Sequence, residues 1–442
     1  MKRIKRKRPE NIDIRDLVSK TVALHQRGRL DEAEALYREA LERSPNDADL
    51  LHFHGVLLHQ RGRSTEAIDS IRRALEIDPN YVDAHNNLGN VFKELGRLRD
   101  ATREYRKVLA LDDSNAGAHN NLGTSLRCLD HFEEAITEYK RALELEPGNA
   151  EIWVNFGNAL RANDQTQEAL TAFRKAIEIK PMHAEAHLSL GRALHRNGRT
   201  EEAAVVYRKW LKRQPENPVA KHMLASATGI DVPDRASDEY IRATFDSFAS
   251  SFDSKLEGLG YRGPEQISSA LDDELGSATP SRNILDAGCG TGLCGPLIRR
   301  HARSLVGVDL SERMLERARN RGMYDELVRA ELIGFMVCKA GSYDVVVSAD
   351  VLIYFGALDR LFEAAAHALR PDGTLVFSVE DAGDEDRGLR LNAHGRFSHT
   401  RDYVRRTLAG AGMSVSRIDS EILRREARID VAGLIVTARN RC

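Results

Sequence analysis

The chain has 442 residues, 42% apolar and 30% charged, with a formal net charge of −2. That length exceeds what one hydrophobic core fills and sets an expectation of two or three domains, while the near-neutral charge excludes a global attraction to nucleic acid or acidic lipid. Five cysteines (Cys128, Cys289, Cys294, Cys338, Cys442) form no C-x-x-C pair, which argues against a disulfide framework and structural zinc and matches a reducing cytosol. No apolar run approaches a membrane span. A cytoplasmic protein is expected, with no membrane contact and with nucleic acid disfavoured as a partner.

Residues 1–13 open on MKRIKRKRP, six basic residues among the first eight (Lys2, Arg3, Lys5, Arg6, Lys7, Arg8). A secretory signal would need an apolar stretch next, and ENIDIRDLVSK is not one. The segment reads as a solvated tail, with an electrostatic arm for an anionic partner as the alternative.

From about Ile14 the sequence repeats with a period of 34, as in AHNNLGNVFKELGRLRDATREYRKVLALDD (84–113) and AHNNLGTSLRCLDHFEEAITEYKRALELEP (118–147). Glycine recurs at Gly55, Gly89, Gly123, Gly157 and Gly191, and alanine at Ala33, Ala67, Ala101, Ala135, Ala169 and Ala203. Four residues after each alanine stands a bulky side chain: Tyr37, Ile71, Tyr105, Tyr139, Phe173, Tyr207. Small residues let two helices approach, the bulky one fills the space between them, and a closing proline (Pro45, Pro79, Pro147, Pro181, Pro215) starts the next unit. One pair buries too little alone, so neighbours must stack. Asn87, Asn121 and Asn155 share one position on the first helix of successive units. A carboxamide there both donates and accepts and can satisfy polar groups between the helices. His85, His119 and His187 share another position and read as packing residues.

The period and pattern resemble tetratricopeptide repeats. Six units are expected, with NPVAKHMLASAT (217–228) as a capping helix, giving a repeat domain over 14–228. The asparagines resemble the ladder of the O-linked N-acetylglucosamine transferase repeats, which implies a protein or peptide in the groove.

After the linker GIDVPDRAS (229–237), β-branched runs alternate with amphipathic stretches through 229–442: RNILDAG, SLVGVDL, YDVVVSA, GTLVFSVE and VAGLIVTAR. That alternation predicts a parallel sheet covered on both faces, with ligands beyond the carboxyl ends of its strands. In ILDAGCGTGLCG (284–295) an acid, Asp286, precedes Gly288, Gly290 and Gly292. The glycines permit a sharp turn and close approach of a ligand. A dinucleotide is opposed by Leu293 at the place of its last glycine and by Asp286, which would repel a pyrophosphate; no Gly-Lys-Ser/Thr marks a P-loop. The acid suits a cationic ligand, and a second acid, Asp309, ends the next strand, where a carboxylate can accept both hydroxyls of a ribose.

ILDAGCGTG followed by VGVDLSERMLERAR resembles the class I S-adenosylmethionine-dependent methyltransferases, over about residues 237–442. The expected fold class is thus an α-solenoid of tetratricopeptide repeats followed by an α/β Rossmann-like class I methyltransferase domain. The resemblance implies S-adenosylmethionine as cofactor, Asp286, Gly288 and Gly290 as contacts to its methionine part, and Asp309 as ribose ligand. Glu331 stands where an acid contacts the adenine amine, though the usual residue is aspartate, and SADVLIYFG places Asp350 and Val351 near the cofactor. DEYIRATFDSFASSFDSKLEGLGYRGP (238–264) and HGRFSHTRDYVRRTLAGAGMSV (394–415) resemble segments of a bacterial group of repeat-containing predicted methyltransferases. Candidate bases are Tyr354, His394 and His399, each with a structural reading beside the catalytic one. Phe245, Phe248 and Phe252 belong to a lid or to a helix packed on the sheet. Cys289 and Cys294 read as small residues in the loop, or as reactive thiols. The absence of an Asn/Asp-Pro-Pro-Tyr motif disfavours adenine and glutamine as acceptors. A protein or peptide acceptor recruited by the repeats is expected. The alternatives are a small molecule methylated at carboxyl or hydroxyl, with repeats serving assembly, and a scaffold with a degenerate domain.

Overall fold

The computed structural model describes residues 14–246, 249, 252–276, 278–426 and 429–441. The basic segment 1–13 and Phe248 lie outside the described residues. The chain divides into two compact units, residues 1–179 and 180–442.

The first unit is a run of helix pairs: Ile14–Gln26 with Leu30–Arg43, Ala48–Gln60 with Ser64–Ile77, Val82–Glu94 with Leu98–Leu111, Ala116–Cys128 with Phe132–Leu145, and Ala150–Ala162 with Thr166–Ile179. The recurrent glycine is explained by its neighbour. A Cβ at Gly89 or Gly157 would stand 2.6 Å from a ring carbon of Tyr105 or Phe173, closer than carbon atoms approach. Tyr105, Tyr139 and Phe173 are fully buried in that space. The histidine position also has a definite task. His85 Nε2 meets the Pro79 carbonyl at 3.0 Å, His119 Nε2 the Asp113 carbonyl at 3.1 Å, and Trp153 Nε1 the Pro147 carbonyl at 2.9 Å. In the second unit His187 Nε2 meets the Pro181 carbonyl at 3.0 Å. Each ring donates an N–H across the turn that begins its unit.

The second unit starts with helices Ala184–Arg196, Thr200–Arg213 and Pro218–Thr228, so its boundary falls ahead of the last helix pair that the 34-residue pattern marks. Helices Asp238–Asp246, Phe252–Gly258 and Gly263–Leu275 lead into the sheet. Its strands are β1 (Arg282–Ala287), β2 (Ala302–Asp309), β3 (Glu326–Arg329), β4 (Tyr343–Ser348), β5 (Leu369–Asp381), β6 (Leu389–Leu391), β7 (Phe397–His399), β8 (Met413–Glu426) and β9 (Ile429–Asn440). The parallel part runs β3-β2-β1-β4-β5. The sheet is mixed rather than wholly parallel: β9 joins the far edge of β5 antiparallel, and β8 pairs with β9. The β6–β7 hairpin meets β5 only at Glu380 and Asp381, past the end of β4.

Strands buried on both faces read as unbroken apolar runs. Leu285, Val308, Val346 and Phe377 enter one core, with Phe362 and Leu408 from covering helices. Their neighbours Ile284, Val345, Val347 and Val376 enter the other, with Ile267 and Leu271 of Gly263–Leu275. From β1 the chain proceeds outward to β2 and β3, then returns to place β4 on the other edge of β1. That reversal opens a crevice at the carboxyl ends of β1 and β4, the place where such sheets bind ligands.

Candidate active site

A cavity of about 290 Å³ occupies this crevice. One end is built by the turn after β1. Gly288, Gly290 and Gly292 have φ of 81°, 55° and 83°, left-handed values that strain other residues. The N–H groups of Gly288 and Cys289 donate to the Val308 carbonyl, folding the turn over β2. A Cβ on Gly288 would collide with Val351, whereas one on Gly290 would meet nothing within 4 Å.

Two carboxylates flank the turn. Asp286, 1% exposed, accepts a hydrogen bond from the Tyr324 hydroxyl at 2.6 Å. Burial raises its pKa to about 7 against the help of Tyr324, with Asp309 adding repulsion. Asp309 accepts from the N–H of Gly290 at 3.0 Å and of Ser311 at 2.9 Å. Burial raises its pKa too, despite those bonds. Among the described residues no lysine, arginine or histidine forms an ion pair with either. Glu331 also lines the cavity, but its two oxygens accept from Ile333 N (3.1 Å) and Gly334 N (2.7 Å), capping the helix Leu332–Val337.

The other end is ionic. Asp350, in the left-handed conformation at φ 58°, is held by both oxygens on Arg424 Nη1 at 3.0 and 2.7 Å. Arg424, with a side chain 2% exposed, also pairs with Glu380 and, at 2.7 Å, with Glu426. Arg396 bridges the same two glutamates at 2.7 and 2.6 Å. Burial opposes ionisation of Glu426, yet Arg396 and Arg424 outweigh it and hold its pKa down to about 2. Asp350, Arg396, Arg424 and Glu426 all line the cavity.

Of the three base candidates, Tyr354 lines the cavity, with Phe245 edge-on at 5.4 Å. Burial raises its phenol pKa, so the hydroxyl stays protonated. His394 does not line the cavity; its Nε2 lies 3.4 Å from Glu380, and burial and then Arg396 lower its pKa. His399 is fully buried, donates from Nε2 to the Gly356 carbonyl at 3.0 Å, and has its pKa lowered by burial to about 4. Burial raises both Cys289 and Cys294 thiols well above their ordinary value, the opposite of a reactive thiolate.

The segment before the sheet forms one wall. Ile241, Phe245, Phe252, Leu256 and Tyr261 line the cavity, and Phe245 packs edge-on to Phe252 at 6.0 Å. Two aspartates tie this wall to the sheet's carboxyl end: Asp246 accepts from Ser311 Oγ, just after β2, and Asp253 from Thr291 Oγ1 in the glycine turn, both at 2.5 Å. Arg321 reinforces the second tie, donating to Asp253 at 2.6 Å and to the Thr291 carbonyl at 2.7 Å.

Sequence reading brought together Asp286, Gly288, Gly290, Asp309, Glu331, Asp350, Val351 and Tyr354, all of which line one cavity. It missed Tyr324, Arg424, Glu380 and Glu426. Glu380 carried a signal: like Asp286 and Asp309, it is an acid at the end of an apolar strand (LVFSVED).

A glycine turn between two acids thus stands at the switch point of the sheet, where such sheets bind ligands. The family model for a methyltransferase domain matches residues 259–412. Tetratricopeptide-repeat models match 21–44, 55–96, 89–126, 129–164 and 154–218. The chain therefore carries tetratricopeptide repeats followed by a methyltransferase domain, and such a domain implies S-adenosylmethionine as methyl donor. Among curated relatives, a ubiquinone biosynthesis O-methyltransferase of Coxiella burnetii is 27% identical over 101 residues, 22% of this chain and 43% of the relative. A probable S-adenosylmethionine-dependent methyltransferase of Saccharomyces cerevisiae is 28% identical over 130 residues, 28% of this chain and 44% of the relative. The chain spans less than half the length of these relatives. Among solved structures, MamA is 28% identical, with 37% of this chain and 95% of that chain covered at a TM-score of 0.35. YrrB, a tetratricopeptide-repeat protein with an unusual peptide-binding site, is 28% identical, with 42% and 96% covered at 0.36. No described helix is long and apolar enough to cross a membrane.

Proposed function

We propose that the second unit binds S-adenosylmethionine at the glycine turn and transfers its methyl group to a protein or peptide acceptor recruited by the repeats. One observation carries the reading. Asp286 is a buried carboxylate and Asp309 a partly buried one, side by side at the ends of β1 and β2 around a glycine turn, and among the described residues neither has a cationic partner. Buried acids left so are costly in a protein that binds nothing there. A ligand with an ammonium and a sulfonium relieves that cost, and the open space over Gly290 gives it room.

On this reading Asp286 and the turn hold the amino-acid part, Asp309 accepts from the ribose, and Val351, packed on Gly288, fixes the floor. When bound, the cofactor supplies an electrophilic methyl carbon on sulfur. The ionic end, beyond Asp350, receives the acceptor. Tyr354 stays protonated and His394 and His399 stand outside the cavity, so no candidate is set up as a base. Positioning and exclusion of water are then the protein's main contributions. The apolar wall of Phe245, Phe252 and Leu256 serves the second.

The groove assignment takes a modest form. Asn87 Nδ2 lies 2.8 Å from His52 Nε2, Asn155 Nδ2 donates to Asn120 Oδ1 at 3.0 Å, and Asn121 bonds to Asn90 and Lys93. These carboxamides link neighbouring repeats, which favours the structural role over the grip on a peptide. The repeats themselves are what supports a protein or peptide partner. A small-molecule acceptor is the second reading, favoured by the small cavity and by the curated relatives.

Calorimetry with S-adenosylmethionine tests the first step: the wild type binds, and Asp309→Ala weakens binding at least about tenfold, the loss of two strong hydrogen bonds. Failure of the wild type to bind overturns the reading. Tritiated methyl transfer in lysate of a strain lacking the gene, sorted into protein and small-molecule fractions, decides between the acceptors.

A further inference from the structure

The turn between β6 and β7 presents three carbonyls to helices that precede the sheet. Asn392 O accepts from Ser226 Oγ at 3.0 Å, His394 O from Arg192 Nη2 at 3.4 Å, and Gly395 O from His222 Nε2 at 2.8 Å. The donors belong to Ala184–Arg196 and Pro218–Thr228, and both partners lie in the second unit. His222 is 5% exposed, and burial lowers its pKa, which keeps the ring neutral. A carbonyl only accepts, so the single ring proton resides on Nε2.

Packing closes the same contact. Gly395 has φ of 86°, and a Cβ on it would stand 2.8 Å from Tyr240 Oη and 3.1 Å from Met223 Sδ. Ala225 shares a small core with Leu391 and Phe397 of the hairpin. The residue after Gly395 is Arg396, which enters the cavity and binds Glu380 and Glu426. The hairpin meets β5 at two residues only. Its turn is therefore held from the helical side.

We infer that His222, Ser226 and Arg192 are positioning residues for the acceptor end of the cavity. They hold the turn 392–396 in the place from which Arg396 orders Glu426 and Glu380. The repeat-derived helices next to the sheet thus build part of the catalytic unit. This rests on the methyltransferase reading above.

The test uses the full chain with His222→Ala, His222→Gln and Ser226→Ala. Glutamine places an N–H donor where histidine Nε2 stood. Two probes are read: S-adenosylmethionine by calorimetry, and tritiated methyl transfer into lysate of the strain lacking the gene. The expected result for His222→Ala is cofactor affinity within about twofold of wild type and labelling reduced about tenfold, the size of one buried hydrogen bond. His222→Gln restores labelling to within about threefold, and Ser226→Ala falls between. Hydrogen exchange at 392–396 quickens in the alanine variants and not in His222→Gln. Undiminished labelling by His222→Ala, failure of glutamine to restore it, or loss of cofactor affinity along with labelling would each overturn the inference. A wild type that binds no S-adenosylmethionine removes the methyltransferase reading itself, a failure visible in calorimetry before any variant is compared.

Discussion

The two ends of the cavity solve one problem in opposite ways. At β1 and β2, Asp286 is buried and Asp309 partly so, with a tyrosine hydroxyl and backbone N–H groups but, among the described residues, no cation. At β4, β5 and β8, Glu380 is as deep as Asp286 while Asp350 and Glu426 are partly exposed, and each of the three meets Arg424, with Arg396 on the two glutamates. The second set is satisfied by the chain, so it reports on stability and shape. The first is incomplete, which is what motivates the proposed ligand there.

Removing the cation from the satisfied end has the largest effect. Arg424→Met leaves three carboxylates short of their main partner and should cost about 3–5 kcal/mol in urea unfolding; a loss under about 1 kcal/mol would erase the contrast. Asp286→Asn should act in the opposite sense. With a folded pKa near 7, above its ordinary value of 3.8, ionising Asp286 weakens the fold, a penalty absent below the lower value that grows as pH rises to the upper. The wild type should therefore lose about 2–4 kcal/mol relative to Asp286→Asn between pH 4 and 7 in stability measured without ligand. The same variant should bind S-adenosylmethionine at least about tenfold more weakly at pH 8.

The turn offers an intermediate test. Gly288→Ala meets both a left-handed φ and Val351, and should lose about 2–4 kcal/mol. Gly290→Ala meets only the φ, and should lose about 1 kcal/mol while impairing cofactor binding as much. Unchanged cofactor affinity in Gly290→Ala would show the space above Gly290 to have no special use. Glu331→Gln should be the mildest, about 0.5 kcal/mol, because the amide keeps one oxygen for the helix cap.

The glycine-turn end was legible in the sequence because its elements are local: an acid, three glycines within five residues, and an acid at the next strand end. The repeats were legible because each unit restates one packing solution. The ionic end was not, since Arg424 lies 74 residues from Asp350 and 44 from Glu380, and no spacing marks such a meeting. Tyr324 was hidden for the same reason, as a hydroxyl reaching Asp286 from 38 residues away. His394 and His399 drew attention by residue type, yet the hairpin that carries them turns Arg396, rather than either histidine, toward the cavity. The break between compact units also escaped the repeat pattern, which records how helices pair and not which neighbour they finally join.

The ring N–H that bridges the turn in four of the repeat units has a consequence for how such arrays drift. Histidine serves at 85, 119 and 187 and tryptophan at 153, with acceptors that are proline in three units and aspartate in one. What persists through these four units is a donor at a set reach, not a residue name; in the first two units the position is leucine (Leu17, Leu51). In these four units a phenylalanine would resemble the ring it replaces in shape and still leave a main-chain oxygen without its donor, whereas beside Leu51 the Pro45 carbonyl accepts from Arg73 instead.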